Sequence, residues 1–364
     1  MRIAGLLALT AGVLLGWGCA SKGTRGPDAV PGSPAADRLS TLDDVADAYV
    51  RLVLAVGRHD TNFVDAYYGP PGWKAEAERG VAQPVPELLA RARELLGELE
   101  RQPVSERRRF LEKQLVAVEG FLRRLAGEPM SLAREAHLLF DIEPSACDLA
   151  ALEAARTRLD SLLPGNDTLS ARLKKARARV EVPPERLSAV VNAVLGEARR
   201  RTAALVPLPS GEHFEVAYVG GKPWGAYNWY KGDYQSLIEV NTDLPKTLDS
   251  VLGTLTHEGY PGHHVYNVLL ESRLVHGKGW RELTVYPLYS PQSLIAEGTA
   301  NVGIDVIMTK AEQEAFLRDV LAPIADISPA EVGRYLDVRT AAEPLRYAGG
   351  EAARRLLEDG ASEA

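Results

Sequence analysis

Three of the seven histidines fall in one short run, His257-Glu258-Gly259-Tyr260-Pro261-Gly262-His263-His264. Imidazole nitrogens and carboxylate oxygens are the donors that zinc takes from proteins. A glutamate directly after a ligand histidine can act as a base toward water held by the ion. In the zincin pattern H-E-x-x-H, two histidines one helical turn apart aim at one metal. Here Glu258 stands in the right relation to His257, but position 261 is proline. Proline lacks an N–H, and its ring collides with the carbonyl four residues back, that of His257. In an unbroken helix His263 would sit about 240° round from His257, and His264 about 10.5 Å further along the axis. Neither placement lets two nitrogens share a zinc about 2.0–2.1 Å from each. A bulge at Tyr260-Pro261-Gly262 returns His263 to the position one turn from His257, with Gly262 supplying the backbone freedom. His263 is therefore the preferred second ligand, and His264 stays open as the rival.

A catalytic zinc takes a third protein ligand and leaves a position for water. The sequence offers Glu297, in Ser293-Leu294-Ile295-Ala296-Glu297-Gly298-Thr299-Ala300-Asn301. The apolar neighbours predict a buried carboxylate there, whose charge a metal would offset. The expected cofactor is one divalent ion, zinc by its mixed nitrogen and oxygen donors. The expected chemistry is hydrolysis by an activated water, with Glu258 as general base. His59, His137, His213 and His276 have no ligand-like company and read as structural or surface residues.

The elements that must position these groups are mainly helical. Leu42, Val45, Ala46, Tyr49, Leu52 and Val53 recur at three- and four-residue spacing, marking an apolar helix face. Further amphipathic helices are predicted over 86–100, 105–126, 131–140, 148–162, 167–179 and 183–204. Val206-Pro207-Leu208-Pro209 ends that series. Residues 213–219 and 235–241 have the β-branched, alternating character of strands. Between them lie Trp224, Tyr227, Trp229, Tyr230 and Tyr234, as pocket lining or as cover for the sheet. The expected fold is mainly α, with a small β-sheet preceding the metal-binding helix. The strand 235–241 is expected to be the substrate-side edge strand, to which an extended peptide adds by main-chain hydrogen bonds.

The 364 residues carry a formal net charge of −7, with 46% hydrophobic and 25% charged side chains. This mild acidity argues against nucleic acid as a partner. Ile3–Leu15 is apolar apart from Thr10 and two glycines, too short for a membrane span but suited to a secretory signal. Cys19 after Gly18 reads as a lipobox cysteine. Residues 1–19 are thus expected to be a signal peptide and 20–40 a flexible linker. Residues 41–204 form a helical region and 205–364 the metal-binding catalytic region. That gives a lipid-anchored protein of the cell envelope, touching membrane only through its anchor. Cys147, without a partner, reads as a small buried hydrophobe in a helical stretch.

The motifs resemble those of the domain of unknown function 885, a bacterial zincin-like family related to the Glu-zincin metallopeptidases. That family carries H-E-x-x-P-G-H-H and a downstream E-G-x-A, which stand here as His257–His264 and Glu297-Gly298-Thr299-Ala300. Arg334-Tyr335 and Tyr347-Ala348-Gly349 look similar to its C-terminal motifs. The resemblance spans roughly residues 215–350. Thr299 departs from it, standing where the family commonly has an aromatic residue. The resemblance implies a zincin-like helical fold and peptide hydrolysis. It also points to Tyr347 as the oxyanion donor, with a packed core tyrosine as the other reading; Tyr260 and Arg334 are candidate substrate contacts, Arg334 reading first as a structural ion pair. Two other functions fit the same residues: a non-catalytic metal-containing lipoprotein that binds peptides or a partner, and a hydrolase of a non-peptide amide or ester.

Overall fold

Thr41 opens the first helix with a capping box: its hydroxyl accepts from the Asp44 N–H, and the Asp44 carboxylate accepts from the Thr41 N–H. The structure, a computed structural model, describes residues 41–359. The signal, lipobox and linker expected at 1–40 lie outside the described residues. Helix α1 (Leu42–Val56) leads to the short strand β1 (Val64–Tyr67). Then come α2 (Pro71–Ala77), α3 (Val85–Glu100), α4 (Glu106–Leu125), α5 (Leu132–Phe140), α6 (Leu149–Leu162), α7 (Leu169–Ala178) and α8 (Pro184–Leu205). Side chains at Ser105, Ser131, Asp148 and Thr168 cap α4 to α7, each accepting a first-turn N–H. The helices expected from periodicity stand within two residues of their predicted ends. Cys147 departs from expectation: it lies in the irregular stretch 142–148 and is half-buried. Pro144 in that stretch ends any helical run.

Strands β2 (His213–Val219), β3 (Ala226–Gly232) and β4 (Gln235–Asn241) form one sheet in the order β2-β4-β3. β4 runs parallel to β2, pairing His213 with Gln235 and Val219 with Asn241. It runs antiparallel to β3, pairing Ala226 with Val240 and Gly232 with Gln235. The expectation that 235–241 is an edge strand is therefore wrong. β4 is central and both its sides are hydrogen-bonded, so no peptide can add to it. Tyr227, Trp229 and Tyr230 of the aromatic stretch lie on β3, whose pairing with β4 is what closes β4 off. The turn after β3 holds Asp233 and Tyr234 at positive φ. The buried Glu271 carboxylate accepts both their N–H groups and the Tyr230 hydroxyl.

After the sheet come α9 (Leu248–Glu258), α10 (His263–Leu270), a π-helical turn at Glu271–His276, β5 (Val285–Pro287) and α11 (Pro291–Ile307). α12 (Lys310–Ala315), a short turn α13 (Ala322–Ile324), α14 (Pro329–Ala342) and α15 (Ala348–Leu357) complete the chain. β5 pairs antiparallel with β1, joining the front of the chain to the back.

Two buried clusters carry the site. One packs α1, α3 and α4 around Phe63 and Val285. The other packs α8, β4 and α9 against Leu317, Leu321 and the Val332 and Leu336 of α14. α9 holds Gly253 and β-branched Thr254 and Thr256, which disfavour helix by up to about 1 kcal/mol each. Leu248, Val251, Leu252 and Leu255 of the same helix are buried. At about 1.5–3 kcal/mol per buried side chain, packing outweighs propensity.

Arg107 on α4 holds Glu282, just before β5, with two hydrogen bonds of 2.6 and 2.8 Å. The Glu282 side chain is fully buried. Arg107→Met is expected to cost about 3–5 kcal/mol by stranding that carboxylate. Chemical denaturation checks this, and a loss below about 1 kcal/mol would show the pair to be dispensable.

Candidate metal centre

α9 stops at Glu258 because the chain cannot carry a helix through Pro261. Asn228 on β3 completes the end, its Nδ2 donating to the Glu258 carbonyl at 2.7 Å. The Tyr260–Pro261 peptide is cis. The Gly262 N–H turns back to the Thr256 carbonyl at 3.0 Å, and a new helix, α10, starts at His263. The expected bulge inside one helix is thus a break between two. The outcome for the ligands is the one the bulge was invoked to give: the His257 and His263 rings face each other at right angles, 4.6 Å apart.

The close return leaves no room at Gly262, where a Cβ would stand 1.8 Å from the His257 carbonyl oxygen. A second close approach brings in α11. Gly303 faces the Pro261 ring, where a Cβ would stand 3.0 Å from it. Ser290 caps α11 by accepting from the Ser293 N–H, and Pro291 fills its first turn. Glu297 is then carried to the histidine pair. Its two oxygens lie 3.4 Å from His257 Nε2 and 3.3 Å from His263 Nε2.

These distances are long for an ion pair and close to the spacing within a ligand set. A charge-assisted N–H···O bond closes to about 2.7–2.9 Å. The edge of a tetrahedron with zinc–ligand bonds near 2.0–2.2 Å is about 3.3–3.6 Å. The ligand atoms of His257, His263 and Glu297 all lie within 4.8 Å of one another. The donor set of two imidazoles and one carboxylate fits zinc. The histidines hold the Glu297 carboxyl well below the usual carboxylate range, against the opposing effect of burial. Burial alone would lower the His263 pKa, but Glu297, Glu258 and Asp65 raise it. Glu297 is not the buried carboxylate expected from its neighbours, since its side chain is 52% exposed. Ile295, Val302 and Val306 of α11 are also exposed, so the helix is apolar on its outer face too.

Glu258 is buried and is pushed up by that burial, with His263 and His257 pulling it down and Glu297 and Asp65 pushing it further up. Its carboxylate acts on these groups without belonging to the set whose donor atoms converge. His264, the rival ligand, points the other way into full burial. Its Nδ1 meets Ser236 Oγ at 2.9 Å, and its Nε2 meets the Glu212 carboxylate at 3.0 Å. Arg199 and Tyr260 donate to the same carboxylate at 2.6 and 2.8 Å. This network anchors the loop from behind. It also corrects the reading of Tyr260 as a substrate contact, because that ring is buried against Phe214 and His264.

The two C-terminal candidates are not brought to the cluster. Tyr347 is 53% exposed, and its hydroxyl accepts from Arg346, whose guanidinium also lies over its ring. Its turn packs on α6, α14 and α15. Arg334 on α14 pairs with Glu331 beside it, lining a different surface cleft with Leu162 and Arg179. Of the other histidines, His59 meets the Gln83 carbonyl, His137 pairs with Glu143, and His276 meets Tyr234.

Three residues at the site have no signal in the motif. Asp65 of β1 accepts a hydrogen bond from Tyr227 of β3, and both respond to the site's charges. Tyr286 of β5 is buried, hydrogen-bonds Ser293, and feels Asp65 and Glu297. Burial pushes both tyrosine hydroxyls far up, so both stay protonated. Tyr227 belonged to the aromatic stretch visible in the sequence. Asp65 had no distinguishing neighbours there.

No family model matches the chain, and none of the curated proteins matches it. Among solved structures, the chain is similar to "the putative lipoprotein from Colwellia psychrerythraea", with 14% identity and a TM-score of 0.27. That match covers 84% of this chain and 67% of the other. Among the described residues no helix is long and apolar enough to cross a membrane.

Proposed function

We propose that the chain is a metal-dependent amide hydrolase of zincin-like design, acting on peptides. The observation that carries this is the convergence of His257 Nε2 and His263 Nε2 on the Glu297 carboxylate at 3.4 and 3.3 Å, beside a buried Glu258. The resemblance at residues 257–264 and 297–300 supports the same reading. The three ligands would hold one divalent ion, zinc by donor type. When bound, that ion supplies Lewis acidity, which makes a water nucleophilic near neutral pH.

Glu258 accepts the proton from that water on its carboxylate and passes it to the leaving nitrogen. Burial raises its basicity toward the range where this exchange is efficient. The hydrogen bond to a developing oxyanion falls to Tyr286 in place of Tyr347. Tyr227 is less suited, because its O–H is already given to Asp65. Substrate cannot add to β4, but β3 pairs on one side only and borders the site through Asn228.

The test is metal content together with turnover. Purified protein loaded with zinc is expected to hold one equivalent by elemental analysis and to cleave members of a peptide mixture, read by mass spectrometry. His257→Ala and Glu297→Ala are each expected to lose the metal and the turnover. Full occupancy in either variant removes that residue from the ligand set. Bound metal without cleavage of any peptide favours a binding lipoprotein instead.

A further inference from the structure

We propose that the cleft between α1, α2 and α3 is a binding site for a phosphate monoester with an apolar body. None of the residues that line it belongs to the His257, His263 and Glu297 set, so the proposal is independent of the hydrolase reading.

The cleft has a volume of about 520 Å³, within the roughly 300–1,000 Å³ that small-molecule sites occupy. Its floor is apolar. Ala48, Leu52 and Ala55 follow one another at helical spacing on α1, and Ala77 closes the floor from α2. Trp73 of α2 adds an indole, over which the Arg51 guanidinium lies at 4.7 Å. The far wall is the loop between α2 and α3, which is tied to the end of α1. Arg58 donates to the carbonyls of Ala77 at 2.7 Å and Gly80 at 3.2 Å, and the His59 ring meets the Gln83 carbonyl at 2.7 Å. The loop therefore holds Arg79 and Gln83 at the cleft without help from a ligand.

Four arginines line this space, Arg51, Arg58, Arg79 and Arg91, against two carboxylates, Glu76 and Glu87. Such a concentration of positive charge stands out in a chain of net charge −7. Arg51 pairs with Glu76, and Arg91 pairs with Glu94, which is not part of the lining. Arg58 and Arg79 have no carboxylate partner among the described residues. Arg58 gives two of its five guanidinium N–H groups to the loop carbonyls, which leaves three. The Arg79 guanidinium makes no hydrogen bond among the described residues, so all five of its N–H groups are open. A carboxylate brings two oxygens and one charge. A phosphate monoester brings three free oxygens and about −1.5 to −2 charges at pH 7, which suits two guanidiniums better. The apolar floor gives the body attached to that phosphate a surface to cover. Glu87 on the α3 wall opposes an anion, and its removal should therefore strengthen binding.

The protein is titrated calorimetrically at neutral pH with 1-naphthyl phosphate, 1-naphthoate, 1-naphthol and inorganic phosphate. 1-Naphthyl phosphate is expected to bind at least about tenfold more tightly than each of the others. Arg79→Gln breaks no hydrogen bond of the fold and is expected to lower that affinity at least about tenfold. Glu87→Gln is expected to raise it. Arg101→Gln removes the same charge from the end of α3, where Arg101 pairs with Glu98 outside the cleft. Its effect is expected to stay below about twofold, because salt screens distant surface charges. His257→Ala disrupts the metal centre and is expected to leave the binding unchanged. No binding of 1-naphthyl phosphate at millimolar concentration overturns the proposal, as does equally tight binding of 1-naphthol or 1-naphthoate. So does wild-type affinity in Arg79→Gln, an Arg101→Gln loss as large as that of Arg79→Gln, or loss of binding in His257→Ala, which would place the phosphate at the metal centre.

Discussion

Glu258→Gln is expected to lower peptide turnover by about 10²–10⁴-fold while leaving zinc content and fold unchanged. Glutamine keeps the shape of the side chain but cannot accept a proton at neutral pH. The backbone role of residue 258 is untouched, since its carbonyl still accepts from Asn228. The side chain is buried without a pairing cation, so the neutral amide costs less to bury than the carboxylate. The folded-state pKa of Glu258 is raised above its unfolded value. Its contribution to stability is therefore full below the unfolded pKa and is lost as pH rises through the folded pKa. The metal-free Glu258→Gln variant should accordingly be at least as stable as wild type at neutral pH, and the difference should shrink on acidification. Wild-type turnover in the variant, measured on the best substrate, would remove Glu258 from the base role.

Gly262→Ala should abolish metal binding and destabilise the fold by at least about 3 kcal/mol. The added Cβ meets the His257 carbonyl oxygen at 1.8 Å and its carbonyl carbon at 2.5 Å. Both are backbone atoms, so no side-chain rotation relieves the clash. The chain must instead open between α9 and α10, which separates His257 from His263. The Gly262 N–H would also leave the Thr256 carbonyl, a bond of 3.0 Å. Gly253→Ala is the matched control. It lies on the same helix, a Cβ there meets nothing within 4 Å, and it is expected to gain about 0.5–1 kcal/mol. Elemental analysis and thermal unfolding of the two variants, side by side, test this. Full zinc occupancy in Gly262→Ala would show that the return of the chain at Gly262 does not set the ligand spacing.

Both variants bear on how the loop was read. Pro261 in the motif announced that the helix could not continue, and it is local chemistry that says so. What replaced the helix depends on the Pro261 contact with Gly303 and on the pull of Glu212 on Tyr260 and His264. Glu212 lies far back in the chain, and no spacing rule connects it to His264.

The amino-acid sequence by itself determined most helices of the front half, two of the three strands of the main sheet, and the candidate cluster of His257, His263 and Glu297 with Glu258 beside it. Periodicity, caps and prolines act over a few residues, so they are readable in order along the chain. Tertiary structure alone decided that β4 is central, since strand order is a matter of which segments meet. It likewise decided that His264 turns into the Glu212 network, that Glu297 is half-exposed, and that Tyr347 and Arg334 stand on other surfaces. It also placed Asp65 of the front half near a candidate site nearly two hundred residues later, through the pairing of β1 with β5 and the hydrogen bond from Tyr227. Such contacts depend on packing between distant segments, and a single sequence carries no local mark of them.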